Sequence, residues 1–298
     1  MQLAQFAGSL ISLAFYTASL AIVIGSIWVA RRIYKRKDRR NPLTRDLLRG
    51  PGHTLKDKLD GAKDELAAYM AAAIPMPLLL LASWSLQDRI DGKRSPFPIV
   101  FVFFLVVATG FFVFCIFRLI KKIRNDSLGY EAEQAVGQEL NQLTRLGFHV
   151  FHDVGGDKQF NIDHVVVGPS GVFAVETKGR AKPLKNGKPQ YVVELRDDRL
   201  IFPRWIESEP IAQSIRNAKW LSKWLSSATG ERVEAHPALA LPGWYIERKT
   251  KSSVFVFNAT NSANTLGKWS PSSLSSQTVE RVVHQLDAKC RDVSPSAR

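Results

Sequence analysis

The stretch Ile162-Asp163-His164-Val165-Val166-Val167-Gly168-Pro169-Ser170-Gly171-Val172-Phe173-Ala174-Val175-Glu176-Thr177-Lys178 decides how this chain reads. Two valine-rich runs flank a Gly-Pro-Ser-Gly turn, which is the pattern of a β-hairpin. Its polar groups stand in odd places for a plain structural sheet. Asp163 heads the first strand, and Glu176 and Lys178 end the second. Side chains alternate along a strand, so Glu176 and Lys178 share one face and Thr177 takes the other. Pairing through the tight turn brings Asp163 and Glu176 together at the open end of the hairpin. Two carboxylates at short range repel, and a hard divalent cation with oxygen ligands relieves that repulsion. Lys178 beside them would orient or deprotonate a water, or stabilise charge on a phosphate. Such a cluster suits hydrolysis of a phosphodiester by metal-activated water. A bare Glu-x-Lys means little, because strands often expose that pair as a salt bridge; Asp163 and the flanking helices carry the reading. His164 points to the opposite strand face and reads as a packed side chain, not a ligand.

Upstream of the hairpin, Ala132, Val136, Leu140 and Leu143 recur at helical spacing and Gly147 supplies a stop. A further β-type run follows at 148–154, giving the order helix, strand, strand, strand. Downstream, Lys182, Lys185 and Lys188 lie in a Gly- and Pro-containing loop. That loop would contact phosphates, each lysine adding sequence-independent, salt-sensitive affinity, or would simply be solvated. Residues 191–202 read as a polar hairpin with Asp197-Asp198 at its turn. The helix from about 209 to 227 places Ile211, Ile215, Ala218, Leu221 and Leu225 on one face, with Trp220 and Trp224 as packing residues. A strand at 254–257 and a helix at 275–286 complete the reading.

Glu133 in its helix, the runs 162–169 and 171–178, and Pro210-Ile211-Ala212-Gln213 together resemble the NERD (nuclease-related) domain. The resemblance covers roughly residues 127–225. That family is assigned to the PD-(D/E)xK nuclease superfamily, which implies an α/β fold with a restriction-endonuclease-like αβββαβ core, a mixed sheet flanked by helices. It implies metal binding by Glu133, Asp163 and Glu176, Lys178 as the catalytic lysine, and Gln213 on the following helix near the site. Ala132 stands where the family commonly has glycine. The implied activity is hydrolysis of nucleic acid, DNA before RNA, with Mg2+ or Mn2+; a homodimer would suit cutting of both strands. The alternative is a non-catalytic module that binds nucleic acid or protein, and a third reading is a membrane scaffold.

The first 126 residues differ in kind. They carry 19 Lys and Arg against 9 Asp and Glu, whereas residues 127–298 carry 22 against 18. Most of the formal charge of +14 therefore flanks apolar runs, where it sets membrane orientation, and is poor evidence for DNA binding. Residues 7–30 are uncharged and precede a basic cluster at 31–40; the apolar run 98–120 carries a single charge, Arg118, near its end and stops at Lys121-Lys122. Each is long enough to cross a bilayer. A middle run, 66–86, contains Pro75 and Pro77 and reads as a span, with a re-entrant segment as the alternative. Three spans put the 12 basic residues of 31–65 and everything after Lys121 on one side. The expectation is an integral protein of a bacterial inner membrane, N-terminus outside. Residues 1–126 would form its membrane region and 127–298 a cytoplasmic domain. The charged stretch 56–65 reads as a short exposed helix. Cys115 and Cys290 provide neither a disulfide framework nor zinc spacing.

Overall fold

The computed structural model of the protein describes residues 45–77, 99–156 and 160–294, with single positions between 22 and 43. Before the core come β1 (Leu47–Leu48), α1 (His53–Ala73) and α2 (Ile99–Asn141). The hairpin region supplies β2 (His149–Gly155), β3 (Asn161–Gly168) and β4 (Gly171–Thr177). Short strands follow: β5 (Leu184–Lys185), β6 (Lys188–Pro189), β7 (Val192–Arg196), β8 (Arg199–Ile201) and β9 (Ile206–Glu207). The chain then forms α3 (Glu209–Thr229), β10 (Ala235–Ala240), β11 (Tyr245–Arg248), β12 (Phe255–Phe257), α4 (Ser276–Cys290) and β13 (Arg291–Val293).

Two compact units separate: one of Met1–Thr44, Gly61–Lys122 and Ser296–Arg298, the other of Arg45–Asp60 and Ile123–Pro295. In the first, Tyr69 meets the rings of Phe111 and Phe112 edge-on, at 6.5 and 6.3 Å. Phe103, Phe104, Phe114 and Phe117 are exposed. Among the described residues, one helical stretch, Val102–Leu146, is long and apolar enough to cross a membrane; its apolar window has a mean hydropathy of 2.5 and is 6% buried. That window is uncovered, whereas the far end of the same helix is buried through Val136, Leu140 and Leu143. Three spans were expected, and the described residues supply one candidate. The 7–30 run lies mostly outside them. Of the 66–86 run, the described part is helical to Ala73 and then turns at Ile74-Pro75, where the missing proline N–H breaks the ladder. The rest of it lies outside the described residues.

The second unit is a mixed α/β fold. Its five-stranded sheet has the order β12-β10-β4-β3-β2. Strands β2, β3 and β4 are antiparallel, with Gly168 opposite Gly171 at the turn, and β10 and β12 add in parallel. Alternation sorts the valines onto two faces. Val165, Val167, Val172 and Ala174 pack under Ala218, Leu221 and Leu225 of α3 and Val282 and Leu286 of α4. Val166, Phe173 and Val175 pack under Val136, Leu140 and Leu143 on the other side. The expected helix at 132–143 is the end of the longer α2, and helices cover both faces of the sheet. The αβββαβ order is present as α2, β2 to β4, α3 and β10.

A second sheet, β11-β7-β8-β9, carries the expected 191–202 hairpin. Asp197 and Asp198 have φ of 48° and 53°, the mirror-image turn that matches strand twist. The lysine loop holds a minimal hairpin of its own, in which Lys185 faces Lys188 across the Asn186-Gly187 turn.

Arg45–Asp60 is a strap on this unit, which adds to the 127–298 domain expected from sequence. Strand β1 pairs with β13, and the Arg49 amide donates to the Cys290 carbonyl at 3.0 Å. The Arg49 guanidinium grips Asp292 at 2.6 and 2.8 Å. Asp153, 4% exposed and at φ 51°, accepts from the Thr54 amide (2.8 Å), the Thr54 hydroxyl (2.6 Å) and the Asn161 amide group (2.8 Å). A carboxylate on the Thr54 amide caps the first turn of α1.

Candidate active site

The sequence-predicted residues gather at one end of the main sheet. Asp163 lies near the start of β3 and Glu176 near the end of β4, one pair beyond the register pair His164–Val175. The Asp163 Oδ2 atom accepts from the Thr177 amide at 2.7 Å, which fixes its carboxylate across the hairpin. Glu176 is 2% exposed and both of its oxygens are held: Oε1 by the Lys178 ammonium at 2.6 Å, Oε2 by the Asn217 side chain at 2.8 Å. Glu176 and Lys178 thus share a face, as strand alternation requires. The Lys178 amide donates to Ala240 of β10 at 3.0 Å, so the lysine is anchored as the chain leaves the sheet.

Glu133 arrives from α2, and a close approach of backbones makes room for this. A Cβ at Gly179 would lie 2.8 Å from the Ala132 Cβ and 2.9 Å from the Leu128 carbonyl oxygen. Only glycine lets the turn after Lys178 run that near the helix, and Ala132 keeps the helix side small. From the strap, Gly52 lies against Tyr130 and Glu133: a Cβ there would meet the ring at 2.9 Å and Oε2 at 3.3 Å.

The electrostatics follow from three acids under one roof. Burial pushes the Glu133 carboxyl up to about 7, with Asp153 and Glu176 adding repulsion and Lys178 and Lys58 opposing it. Burial raises Asp163 well above the ordinary carboxylate range, and Glu176 and Glu133 push the same way. Glu176 is raised by burial against the pull of Lys178. A cluster that resists holding all its negative charge is one that a cation would complete.

The donors are carboxylate oxygens, the chemistry of Mg2+ or Mn2+ sites. Asp163 keeps one oxygen outside its bond to Thr177, and Glu133 faces the same charge cluster, so the set fits such an ion. Among the described residues, no three His, Cys, Asp or Glu side chains converge into a ready-made metal cage. Binding would have to draw the acids closer.

Gln213 is half-buried on α3, one turn before Asn217 and on the same side of the helix. Among the described residues it is Asn217, unforeseen from sequence, that holds Glu176. A polar residue inside the apolar stripe of α3 was the available signal. Asp153 was also missed, since nothing local marks a partner 99 residues away. His164 is buried as expected, its Nδ1 2.9 Å from Nδ1 of His152, whose Nε2 lies 3.1 Å from Asn141. Lys182, Lys185 and Lys188 are exposed. Trp220 and Trp224 stack on each other against the α3–α4 core, 6.0 Å between ring centres.

No curated protein and no solved structure matches the chain. The family model of the nuclease-related domain matches residues 128–242, from the last turns of α2 through β10. The matched segment contains Glu133, Asp163, Glu176, Lys178, Gln213 and Asn217, and such a domain implies dealings with nucleic acid in general. The chain carries a nuclease-related (NERD) domain at residues 128–242.

Proposed function

We propose that the protein is a membrane-tethered, divalent-metal-dependent nuclease that hydrolyses phosphodiester bonds, with DNA as its first substrate. The observation that carries this reading is the Glu176–Lys178 pair at 2.6 Å on β4, with Asp163 pinned to the Thr177 amide across the hairpin and Glu133 electrostatically coupled to both acids. Mg2+ or Mn2+ held by Glu133, Asp163 and Glu176 would neutralise phosphate charge and acidify a bound water. The protein's own groups do the positioning. Glu176 aims Lys178 at the reaction centre, Asn217 and the Thr177 amide hold the two strand carboxylates, and the ammonium stabilises charge on the phosphate. Glu133, with its carboxyl at about 7, holds or releases a proton near neutral pH. Gln213, one turn before Asn217 on α3, would contact substrate. The uncovered apolar window within Val102–Leu146 supports the tether.

The test uses the full chain with plasmid DNA, linear DNA and RNA, in Mn2+, Mg2+ or EDTA. Cleavage that needs the metal and disappears in Asp163→Ala and Lys178→Ala supports the reading. Cleavage unchanged in both variants sinks it. A second reading, a binding module that no longer cuts, is favoured by the lack of a ready-made cage among the described residues. It predicts nucleic-acid binding that EDTA leaves untouched, with no cleavage.

A further inference from the structure

The second sheet leaves a cavity of about 370 Å3 on its surface, within the size range of small-ligand pockets. Tyr191 and Tyr245 line it with Trp244, Ile246 and Phe257. The two tyrosines come from neighbouring positions, because the Tyr245 amide donates to the Tyr191 carbonyl at 2.7 Å and Tyr245 stands opposite Val192. They are 55% and 62% exposed, although Trp244 and Phe257 beside them are buried. Two aromatic rings standing open over an apolar floor present stacking faces to a flat partner.

Positive charge rims the cavity. Arg248 lines it and also lines a neighbouring cavity of about 530 Å3 formed by the loop Lys249–Ser253 with Phe255 and Trp269. Lys249 is neutralised by Glu247, so the uncompensated cations of that side are Lys251 and Arg248, whose guanidinium donates to the Val256 carbonyl and lies over the Phe255 ring. On the other side the Lys182 ammonium lies 3.2 Å from where a Cβ at Gly243 would be, and Gly243 is part of the cavity wall. Lys182 comes four residues after Lys178, no more than about 13 Å of extended chain. The wall is tied to that same segment, since the Trp244 indole N–H donates to the Arg180 carbonyl at 3.1 Å.

We propose that the Tyr191–Tyr245 cavity is a stacking site for an unpaired nucleobase of the nucleic-acid substrate, with Lys182, Arg248 and Lys251 taking the adjoining phosphates. This deepens the nuclease reading and rests on it for the identity of the ligand. The strand leaving the reaction centre passes along residues 179–182 and lays a base between the two tyrosines. A base pair inside a duplex cannot enter, so the site selects single-stranded segments, ends or gaps. Stacking is indifferent to base identity, because every base has a π-face.

The experiment measures binding by the full chain in EDTA, which prevents cleavage. The probes are a fluorescent thymidine 15-mer and an abasic 15-mer with the same number of phosphates. The thymidine strand should bind at least tenfold more tightly. Tyr191→Ala and Tyr245→Ala should each remove most of that preference while leaving abasic binding unchanged, and Tyr245→Phe should keep it. Arg248→Ala should weaken both probes. Equal binding of the two probes, or a preference that survives both alanine variants, overturns the proposal; so does absence of binding to either. Cleavage of DNA in Mn2+ without base preference would remove the stacking site and leave the nuclease reading standing. Base preference without cleavage would uphold the site and remove the nuclease reading.

Discussion

Replacing Asp153 should cost the second unit far more than its distance from the reaction centre suggests. Its carboxylate accepts three hydrogen bonds of 2.6 to 2.8 Å while 4% exposed, and the Arg49 guanidinium lies 3.8 Å away. In Asp153→Ala the α1 cap is lost, at about 1 kcal/mol. The Thr54 hydroxyl and the Asn161 amide lose a charged acceptor, at roughly 1.5 kcal/mol or more each, while Arg49 keeps its bond to the Asp153 carbonyl. The φ of 51° also suits alanine less well than aspartate. Removing the desolvation cost of the carboxylate offsets part of this, leaving about 4 kcal/mol. For a unit of this size that corresponds to a drop in Tm of roughly 8–16 °C. Asp153→Asn keeps the shape but turns one acceptor into a donor facing Thr54, and should lose about half as much. The assay is thermal unfolding of the full chain, followed by tryptophan fluorescence, because Trp205, Trp220, Trp224, Trp244 and Trp269 all lie in this unit. A shift below about 2 °C for Asp153→Ala would show that the strap is merely laid on the surface, and the reasoning would fail.

Three further outcomes are expected. Burial holds His152 at about 4, below its ordinary 6.5, so the unfolded chain takes the proton first and stability falls as pH drops from 6.5 towards 4, by roughly 3 kcal/mol in all. Glu133, raised to about 7, has the opposite sign: its contribution is present below pH 4.5 and lost as pH rises to 7. In urea unfolding, Glu133→Gln should therefore steepen the fall in stability from pH 7 to 4.5 relative to the parent, and an unchanged slope would contradict it. Mn2+ should raise Tm more at pH 8 than at pH 5.5, because the cation must displace the Glu133 proton at the lower pH; an equal shift at both values removes Glu133 from the binding set. Gly179→Ala forces a methyl against the Leu128 carbonyl oxygen and should destabilise by about 1–3 kcal/mol and misplace Glu133. Cleavage should then fall more than stability does, and full activity in that variant would refute the close-approach account.

Much of the second unit was legible because its signals are local. Valine alternation, the Gly168–Gly171 turn and the helical stripe of α3 each declare themselves within a few residues, and they locate Asp163, Glu176 and Lys178 together. Strand β10 was not legible, since His236-Pro237 interrupts a six-residue run and proline argues against a central strand. The structure accommodates it because Pro237 opposes Ala174 of β4, while the ladder to β12 starts one residue later, at Ala238. The strap escaped notice for a different reason. Arg45–Asp60 has no periodicity that betrays its partners, and those partners, Asp153 and Asp292, are far along the chain. Asn217 was hidden by its neighbours, whose apolar spacing drew the eye to packing. The expectation of three spans in the first 126 residues rests on composition and charge, which speak to the length of apolar runs but not to where Pro75 ends a helix.

The pairing of β1 with β13 joins Leu47 to Val293. A ribosome adding about 5–20 residues per second needs roughly 12–50 s to make the chain between them. Throughout that interval β1 has been synthesised and its partner strand has not, and Arg49 waits for Asp292. That stitch of the fold is therefore available only once Val293 has been made, so any nuclease activity that depends on the closed unit would be withheld from the nascent chain until then.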